Sequence, residues 1–323
     1  MTSSGYTAPA SRKGLIKRYA LKALVLAGIC FAADRVLSSF FRSALDHYHG
    51  LDVGARILLV GHSHTELGLD KCLLEEALGV PVAKYALNGA GTLDRYVMIQ
   101  HYFAERENPP ELVIYDVDAH TFTGNGLSSN SYTLFFPYLD NPVVDEYIRH
   151  NARSRSEYWI RKLVHLSRFD DTRINAVLRG LTSNWSNYKY GMLDVEALQK
   201  KIAKGSARPV TFDRANIDVF EKTVAFVRRH GAMLVLLYIP TFRVYNEAEP
   251  ERHAATIRMF DDYAKQNEGV IFLNYNAEYA DRAELFYDPI HLNYKGRQAV
   301  TQTLVRDLRG LVEHGYASSR VHP

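Results

Sequence analysis

The sequence predicts an α/β fold: a flavodoxin-like three-layer α/β/α sandwich of about five parallel strands, with an α-rich insertion and an N-terminal membrane-anchor helix. Short aliphatic runs closed by turn residues recur along the chain, which is typical of buried parallel strands. Helical patterns separate these runs with short joints, which indicates βαβ units. Polar residues follow the ends of the first three runs, so one edge of the predicted sheet collects them.

Composition and charge exclude several classes of protein. The chain has 323 residues, 47% of them hydrophobic, enough for a sizeable core without disulfide staples. Its net charge is +3, but five cations precede the first acid, so the rest carries −2 (+3 less five) and offers no basic field for nucleic acid. These cations are Arg12, Lys13, Lys17, Arg18 and Lys22. The two cysteines, Cys30 and Cys72, form neither a disulfide framework nor a CxxC metal knuckle.

Residues 1–45 are predicted to be a basic N-terminus followed by a signal-anchor or transmembrane helix. The uncharged stretch from Ala23 to Ala33 has 11 residues, fewer than the roughly 20 that span a bilayer. Lys22 can snorkel, and Leu15 to Leu21 can extend the apolar segment. This pattern favours an uncleaved anchor, with the body, residues 46–323, in the periplasm or another extracytoplasmic space. The alternative is an amphipathic or buried N-terminal helix of a soluble protein.

The first aliphatic run, Ile57 to Val60, ends in Gly61, and Ser63 follows two positions later. Because glycine allows a tight bend, Ser63 is expected at the carboxyl end of the first strand. Ligands of open α/β sheets bind at that edge. Ser63 is therefore a candidate nucleophile that needs a base.

The base is predicted far downstream, where Asp288 precedes His291 by three residues on one short loop. An aspartate so placed holds the imidazole in the tautomer that accepts a serine proton. We therefore predict that Ser63, His291 and Asp288 are the catalytic residues. His291 removes the proton of the serine, and Asp288 orients the imidazole.

The other elements continue the alternation of strands and helices, and glycine and proline signals end several of them. Before the insertion, the sequence predicts helix 69–78, strand 82–87, small-residue loop 88–92, helix 93–107, strand 111–115 and polar loop 116–120. After the insertion, it predicts helix 217–229, strand 233–239, helix 249–266, strand 270–273 and helix 296–311.

The insertion, at about 121–211, begins in a loop that is longer than an ordinary connection and rich in Gly, Ser, Asn and aromatic residues. Residues 142–181 have a helical pattern. Trp185, Tyr188 and Tyr190 follow in a polar loop, where aromatic faces can stack on sugar rings. The alternative is that these aromatics are buried against the sheet.

Two blocks at opposite ends of the body resemble those of SGNH (GDSL-type) hydrolases. The nucleophile block of that family is Gly-Asp-Ser, and residues 61–63 read Gly-His-Ser. The last block of the family, Asp-x-x-His, is matched at residues 288–291, with Asn293 and Gly296 following as the family prefers. The two blocks occur in the order that the family has.

Two middle blocks of that family build its oxyanion hole. The glycine of the second block corresponds to Gly89, next to Asn88, or to Gly91. The third block, Gly-x-Asn-Asp, corresponds to residues 116–119 and places Asp118 where the family has Asn. A carboxylate donates to an oxyanion only when protonated, so either the pKa of Asp118 is raised or the hole uses backbone N–H groups alone.

The resemblance is to the branch of membrane-anchored polysaccharide O-acylation proteins, such as the alginate acetylation and D-alanyl transfer factors. It implies an O-acyltransferase or esterase that moves an acyl group, often acetyl, to or from an extracytoplasmic polysaccharide or another acylated substrate. It also implies an integral-membrane acyltransferase as partner and no cofactor. His62, His64 and His120 are expected to line the site together with Asp118.

Two other functions stay open from the sequence. A metal-dependent hydrolase would use a cluster of histidines and aspartates and leave Ser63 idle. The ligands available to it are His62, His64, Asp116, Asp118, His120, Asp288 and His291. A non-catalytic glycan-binding or assembly protein would explain the altered first and third blocks as a decayed site.

Overall fold

The core of the structure is a five-stranded sheet in the order β2-β1-β3-β4-β5. The structure is a computed structural model that describes residues 12–124, 130–205 and 208–314. The strands are Ile57–Gly61 (β1), Val82–Ala86 (β2), Leu112–Val117 (β3), Met233–Tyr238 (β4) and Val270–Asn274 (β5). Every neighbouring pair is parallel, so the predicted flavodoxin-like sheet is confirmed.

Both faces of this sheet are buried. Along β1, Leu58 and Val60 belong to one hydrophobic core, whereas Ile57 and Leu59 belong to a second core. Successive side chains of a strand point to opposite faces, so the two cores lie on opposite sides of the sheet. The continuous aliphatic runs of the sequence are therefore strands that helices cover on both sides, which makes three layers.

The helices surround the sheet in chain order. Those before the insertion are Arg12–His49 (α1), Ser63–Gly68 (α2), Lys71–Leu78 (α3) and Thr92–Ala104 (α4). Those within 121–211 are Pro142–Asn151 (α5), Arg155–Leu163 (α6), Asp171–Leu181 (α7) and Val195–Ala203 (α8), with 3-10 helices at Ser131–Tyr138 and His165–Arg168. The others are Arg214–Arg229 (α9), Arg243–Asn246 (α10), Pro250–Gln266 (α11), Asn276–Tyr279 (α12) and Tyr294–His314 (α13), with a 3-10 turn at Ala283–Leu285.

Two local features near the predicted site differ from the sequence-based expectation. The helix expected at 69–78 begins at Lys71, because the side chain of Asp70 accepts the N–H of Leu73 and caps α3. The separate helix α2 was not predicted. The loop that carries the downstream motif contains a small antiparallel hairpin, Phe286–Asp288 (β6) and His291–Leu292 (β7).

The N-terminal helix α1 is far longer than the uncharged stretch of the sequence. It has 38 residues, and its segment Leu15–His49 is long and apolar enough to cross a membrane. Only 6% of the apolar window is buried, which is unlike the core helix of a globular domain. A membrane anchor and a signal sequence both have this character. Residues 1–11 of the predicted basic segment lie outside the described residues.

The C-terminal part of α1 packs against the insertion. Ala44 and Leu45 are buried in the first core, and α7 crosses α1 at Gly180. A Cβ at Gly180 would overlap the carbonyl oxygen of Ala44. The two helices therefore touch through their backbones, and only glycine permits that approach.

We expect Gly180→Ala to lower the free energy of unfolding by about 1–3 kcal/mol, because the added methyl group overpacks the contact between α1 and α7. The measurement is urea-induced unfolding followed by circular dichroism. Gly310→Ala is the matched control, because it lies on the exposed face of α13 with no atom within 4 Å of the added Cβ. Equal destabilisation by both variants would contradict the close helix contact.

Candidate active site

The structure brings Ser63, His291 and Asp288 into one chain of hydrogen bonds. Ser63 Oγ lies 2.8 Å from His291 Nε2. His291 Nδ1 lies 2.7 Å from Asp288 Oδ2. The three predicted catalytic side chains are thus in the order hydroxyl, imidazole and carboxylate that activates a serine.

The turn after β1 sets the position of Ser63. A Cβ at Gly61 would overlap the hydroxyl of Thr65 and lie 2.7 Å from the Cβ of Asp116. Glycine therefore lets the chain turn directly into α2, where Ser63 is the first residue. The serine is 5% exposed, so its surroundings hold it in place.

The hairpin of β6 and β7 sets the position of the other two side chains. Asp288 Oδ1 accepts the N–H groups of Ile290 and His291, each at 3.0 Å. Burial alone would raise the pKa of Asp288, but the hydrogen bond from His291 and these N–H groups hold that pKa below its usual range. The ionised carboxylate keeps the proton on Nδ1 of His291, which leaves Nε2 free to accept the proton of Ser63.

Asn293 and Gly296 hold this hairpin against the protein. Asn293 Oδ1 accepts the N–H groups of Lys295 and Gly296 at the start of α13, and its Nδ2 donates to the carbonyl oxygens of Gly191 and Glu284. A Cβ at Gly296 would overlap the carbonyl oxygen of Leu285. The two residues that follow the downstream motif are therefore structural supports of His291.

The histidine that replaces the family's aspartate, His62, is bonded to Asp118. His62 Nδ1 accepts the N–H of His64 at 3.3 Å, so the proton of the neutral ring lies on Nε2. That nitrogen lies 3.1 Å from Asp118 Oδ2. Both side chains are buried, at 3% and 7% exposure.

Asp118 accepts hydrogen bonds and has no proton to donate. Its Oδ1 accepts the N–H of His120 and the hydroxyl of Thr121. Burial raises the pKa of Asp118, but the hydrogen bond from His62 outweighs it and holds the pKa well below its usual range. Of the two alternatives for the oxyanion hole, the structure therefore favours backbone N–H groups.

His64 lies between the other two rings. Its ring centroid is 4.4 Å from that of His62 and 5.6 Å from that of His291. Burial and the nearby His62 lower the pKa of His64 well below its usual range. A neutral His64 therefore adds no positive charge beside His291.

The loop residues that follow β2 have different surroundings. Gly89 has a φ of +84° in a turn that the N–H of Ala90 closes on the carbonyl of Leu87, which glycine favours. The N–H of Gly91 donates to the carboxylate of Asp94 at 2.6 Å, so it is not available to an oxyanion. Asn88 is exposed and lines a separate cavity of about 200 Å³ with Tyr48, Arg173 and others.

His62 also lines a cavity of about 490 Å³. Its lining includes His62, Asp118 and His120, but neither Ser63 nor His291. His120 also reaches the hydroxyl of Tyr245, 3.3 Å from its Nε2. The polar loop after β3 therefore lines this cavity, and Asp118 stabilises the loop by accepting hydrogen bonds from His120 and Thr121.

Arg95 is a site residue that the sequence did not reveal. Its side chain is 2% exposed, and Nη1 donates to the carbonyl of Asp116. Its guanidinium carbon lies 4.8 Å from the ring centroid of Tyr115, and Nε donates to the carbonyl of Gly91. The sequence shows only a single arginine within a helical pattern, and nothing in that pattern predicts that its side chain is buried at the edge of the sheet.

The metal alternative corresponds to a group of His62, His64 and Asp116, whose ligand atoms lie within 4.8 Å of one another. Asp116 Oδ2 accepts the N–H and hydroxyl of Thr65, and both nitrogens of His62 have hydrogen-bond partners. His64 Nδ1 and Asp116 Oδ1 are buried without a partner. A metal ion would have to replace the bonds of His62, whereas the serine chain needs no rearrangement.

Comparison of the chain with protein-family models and with curated proteins finds no match. Among solved structures, it is similar to an acylhydrolase candidate from Bacteroides fragilis, with 10% identity, a TM-score of 0.41, and coverage of 79% of this chain and 87% of that chain. A platelet activating factor candidate from Streptococcus pneumoniae has 14% identity, a TM-score of 0.40 and coverages of 90% and 99%. An acetyl xylan esterase from Butyrivibrio proteoclasticus has 13% identity, a TM-score of 0.35 and coverages of 80% and 64%. Similarities of this degree carry no argument about activity, which rests on the geometry of the site.

We expect the free energy of unfolding of Asp118→Asn to depend less steeply on pH in acid than that of the wild type. A carboxylate whose pKa is depressed by folding stabilises the protein above its unfolded pKa of about 3.9, and this contribution is lost as the pH falls through that value towards the folded pKa. The wild type should therefore lose stability between about pH 5 and 3 more steeply than the variant. Urea midpoints over that range measure the difference.

The control for this prediction is Asp262→Asn, which changes an exposed carboxylate of α11. Its urea midpoints should follow the pH dependence of the wild type. If those of Asp118→Asn also run parallel to the wild type, folding does not lower the pKa of Asp118, and the argument that its carboxylate has no proton to donate is refuted.

Proposed function

We propose that this chain is a serine-dependent esterase or O-acyltransferase that acts on an acylated polysaccharide outside the cytoplasm. The hydrogen-bonded chain from Ser63 through His291 to Asp288 carries the proposal. Each member is held by independent contacts: the turn at Gly61 for the serine, and the hairpin for the other two. A site so pre-organised needs little rearrangement to start the reaction.

In the proposed first step, Ser63 Oγ attacks the carbonyl carbon of the acyl ester, and His291 Nε2 takes the hydroxyl proton. Asp288 stabilises the resulting imidazolium through Nδ1. The tetrahedral intermediate then breaks its bond to the leaving alcohol, which receives the proton from His291. The products of this step are the free alcohol and an acyl group on Ser63.

The proposed oxyanion hole consists of the backbone N–H groups of Ser63 and Gly89. Asp118 accepts hydrogen bonds, and the N–H of Gly91 is bonded to Asp94, so neither can donate to the oxyanion. Each donor removed from such a hole costs a factor of about 10² to 10³ in rate. A hole with two donors still supports catalysis of a reactive ester.

In the second step, an acceptor hydroxyl attacks the acyl carbonyl while His291 Nε2 takes its proton. Ser63 Oγ leaves with that proton, and the enzyme returns to its starting state. Water as acceptor makes the protein an esterase, and a sugar hydroxyl makes it an O-acyltransferase. The chemistry of the three side chains is the same in both cases.

Exposed tyrosines beside the hairpin support a polysaccharide substrate. Tyr190, Tyr287 and Tyr294 are 68%, 43% and 39% exposed, and we call them the tyrosine group. The rings of Tyr190 and Tyr294 are 5.3 Å apart, and the N–H of Tyr294 donates to the carbonyl of Lys189. Exposed aromatic faces of this kind, next to the hairpin, suit the apolar faces of sugar rings.

The proposed location follows from α1. If α1 crosses a membrane with its five cations in the cytoplasm, the body lies on the extracytoplasmic side, where polysaccharide is found. An integral-membrane acyltransferase is the proposed partner, since an acyl donor made in the cytoplasm has to cross the membrane. Nucleic acid is not among the proposed partners.

We expect a small activated acetyl ester to acetylate the full chain at Ser63. Ser63→Ala should abolish the adduct seen by intact mass. Ser63→Ala and His291→Ala should each lower ester turnover by at least about 10³-fold, since removing one member disables the whole chain. Asp288→Asn should lower it by about 10⁴-fold while leaving the fold intact.

The matched controls are Ser156→Ala and His150→Ala, which change exposed side chains of α6 and α5. Both should retain wild-type turnover. Turnover that survives Ser63→Ala and disappears with a chelator would overturn the serine mechanism in favour of the group of His62, His64 and Asp116. Absence of turnover and of adduct in the wild type would favour a glycan-binding protein.

We expect Tyr190→Ala to raise KM for an acetylated oligosaccharide by about 2- to 10-fold, since a stacked aromatic contact contributes about 0.5–1.5 kcal/mol. Turnover of a small acetyl ester should not change, because Tyr190 does not touch the hydrogen-bonded chain. Leu178→Ala, which shortens a similarly exposed side chain on α7, serves as the control. Unchanged KM in Tyr190→Ala would remove the tyrosine group from the substrate site.

A further inference from the structure

One face of α6 and the residue that follows it expose four large apolar side chains. Trp159, Ile160, Leu163 and Val164 are 55%, 54%, 63% and 49% exposed, and we call them the α6 patch. Helical spacing places Trp159, Ile160 and Leu163 on one side of α6, and Val164 caps its C-terminal end. The other side of α6 packs on the body, where Tyr158 contacts the first core, Lys162 pairs with Asp145 at 2.8 Å and Arg161 lies over the ring of Phe136. An outward-facing group of Trp, Ile and Leu side chains that the body leaves uncovered is typical of a surface at the membrane interface, where tryptophan is enriched.

The α6 patch is bonded to α1 at the point where α1 leaves the body. Asp34 accepts the N–H groups of His165 and Leu166, at 2.9 Å and 2.8 Å. Arg35 donates to the carbonyl of Leu163 at 2.9 Å. The two charges of α1 in this region are thus used to fix the end of α6, and Asp34 is only 9% exposed.

The length of α1 places this junction at the edge of a bilayer. Arg35 follows Arg18 by 17 positions, which is about 25 Å along a helix at about 1.5 Å per residue, and the hydrocarbon core of a bilayer is about 30 Å thick. Val36, Leu37 and Phe40, the next exposed apolar residues of α1, continue the apolar surface past the junction. With Arg18 at one boundary, Asp34 and Arg35 therefore lie at or just inside the other boundary.

We propose that the α6 patch lies in the outer interface of the membrane that α1 crosses. The protein is then attached at two points, through α1 and through the patch, and the body has one orientation relative to the lipid. This inference rests on the proposed membrane anchoring of α1, but not on the serine chemistry. Trp159 would lie at the level of the lipid headgroups, where tryptophan is enriched.

The second tryptophan provides an internal reference, since the chain has only two. The indole of Trp185 donates to the carbonyl of Tyr48 at 3.0 Å. Tyr48 follows Asp34 by 14 residues, which is about 21 Å along α1. When α1 stands upright in the membrane, Trp185 lies far above the lipid while Trp159 touches it.

The test measures tryptophan fluorescence of the full chain in vesicles of phosphatidylcholine and phosphatidylglycerol, made with brominated or with ordinary acyl chains. Trp185→Phe reports Trp159 alone, and Trp159→Phe reports Trp185 alone. The brominated lipid should remove most of the Trp159 emission and leave that of Trp185 almost unchanged. The difference between wild type and Trp159→Phe gives the same Trp159 signal without altering Trp185.

A third probe separates the patch from the anchor. Phe31→Trp, in a chain that also carries Trp159→Phe and Trp185→Phe, places an indole on the exposed part of α1. Quenching of this probe together with no quenching of Trp159 would keep the anchor and refute the α6 patch. No quenching of either probe would refute both. Equal quenching of Trp159 and Trp185 would refute the upright orientation and the distinct position of the patch.

Discussion

The hydrogen bond between Ser63 and His291 joins residues that are 228 positions apart, and the site depends on it. It forms only if β1 is inside the sheet and the C-terminal hairpin folds over its end. The sheet order places β1 between β2 and β3. Asn293 and Gly296 then tie the hairpin to α13 and to the loop at Gly191. The fold is thus the means of bringing two short motifs within 3 Å.

Features with a strong local pattern could be predicted from the sequence. Four of the five strands were recognised because each is built on a buried aliphatic run, and β2, which contains Lys84 and Tyr85, because it follows a helix-ending turn. The two motifs were recognised because glycine, serine, aspartate and histidine occur at spacings that the chemistry requires. Features that depend on tertiary contacts could not be predicted from the sequence. Arg95 lies under the sheet edge because the carbonyls of Gly91 and Asp116 face it, which no spacing reveals. Asn88 shares a loop with Gly89, yet it lines a cavity other than the one beside His62.

The two departures from the pattern of SGNH hydrolases are coupled in the structure. A histidine at position 62 and an aspartate at position 118 bond to each other through Nε2 and Oδ2. Each is the buried hydrogen-bond partner of the other, and a buried polar atom that loses its partner costs about 1–3 kcal/mol. Considered separately, the altered blocks suggest a decayed site. Because His62 and Asp118 are bonded to each other beside the Ser63–His291–Asp288 chain, the two altered positions form one coupled change.

The unbroken course of α1 has a mechanical consequence. No proline interrupts its 38 residues, and its last turns are locked into the core by Ala44, Leu45 and the backbone contact at Gly180. A helix without a kink has no hinge, so it transmits rotation rather than absorbing it. If α1 crosses a membrane as proposed, a body mounted in this way cannot swivel on a flexible linker to search for a substrate. If the substrate is the proposed polysaccharide, it then has to be presented to Ser63 at the distance from the membrane and at the angle that the rigid helix α1 sets.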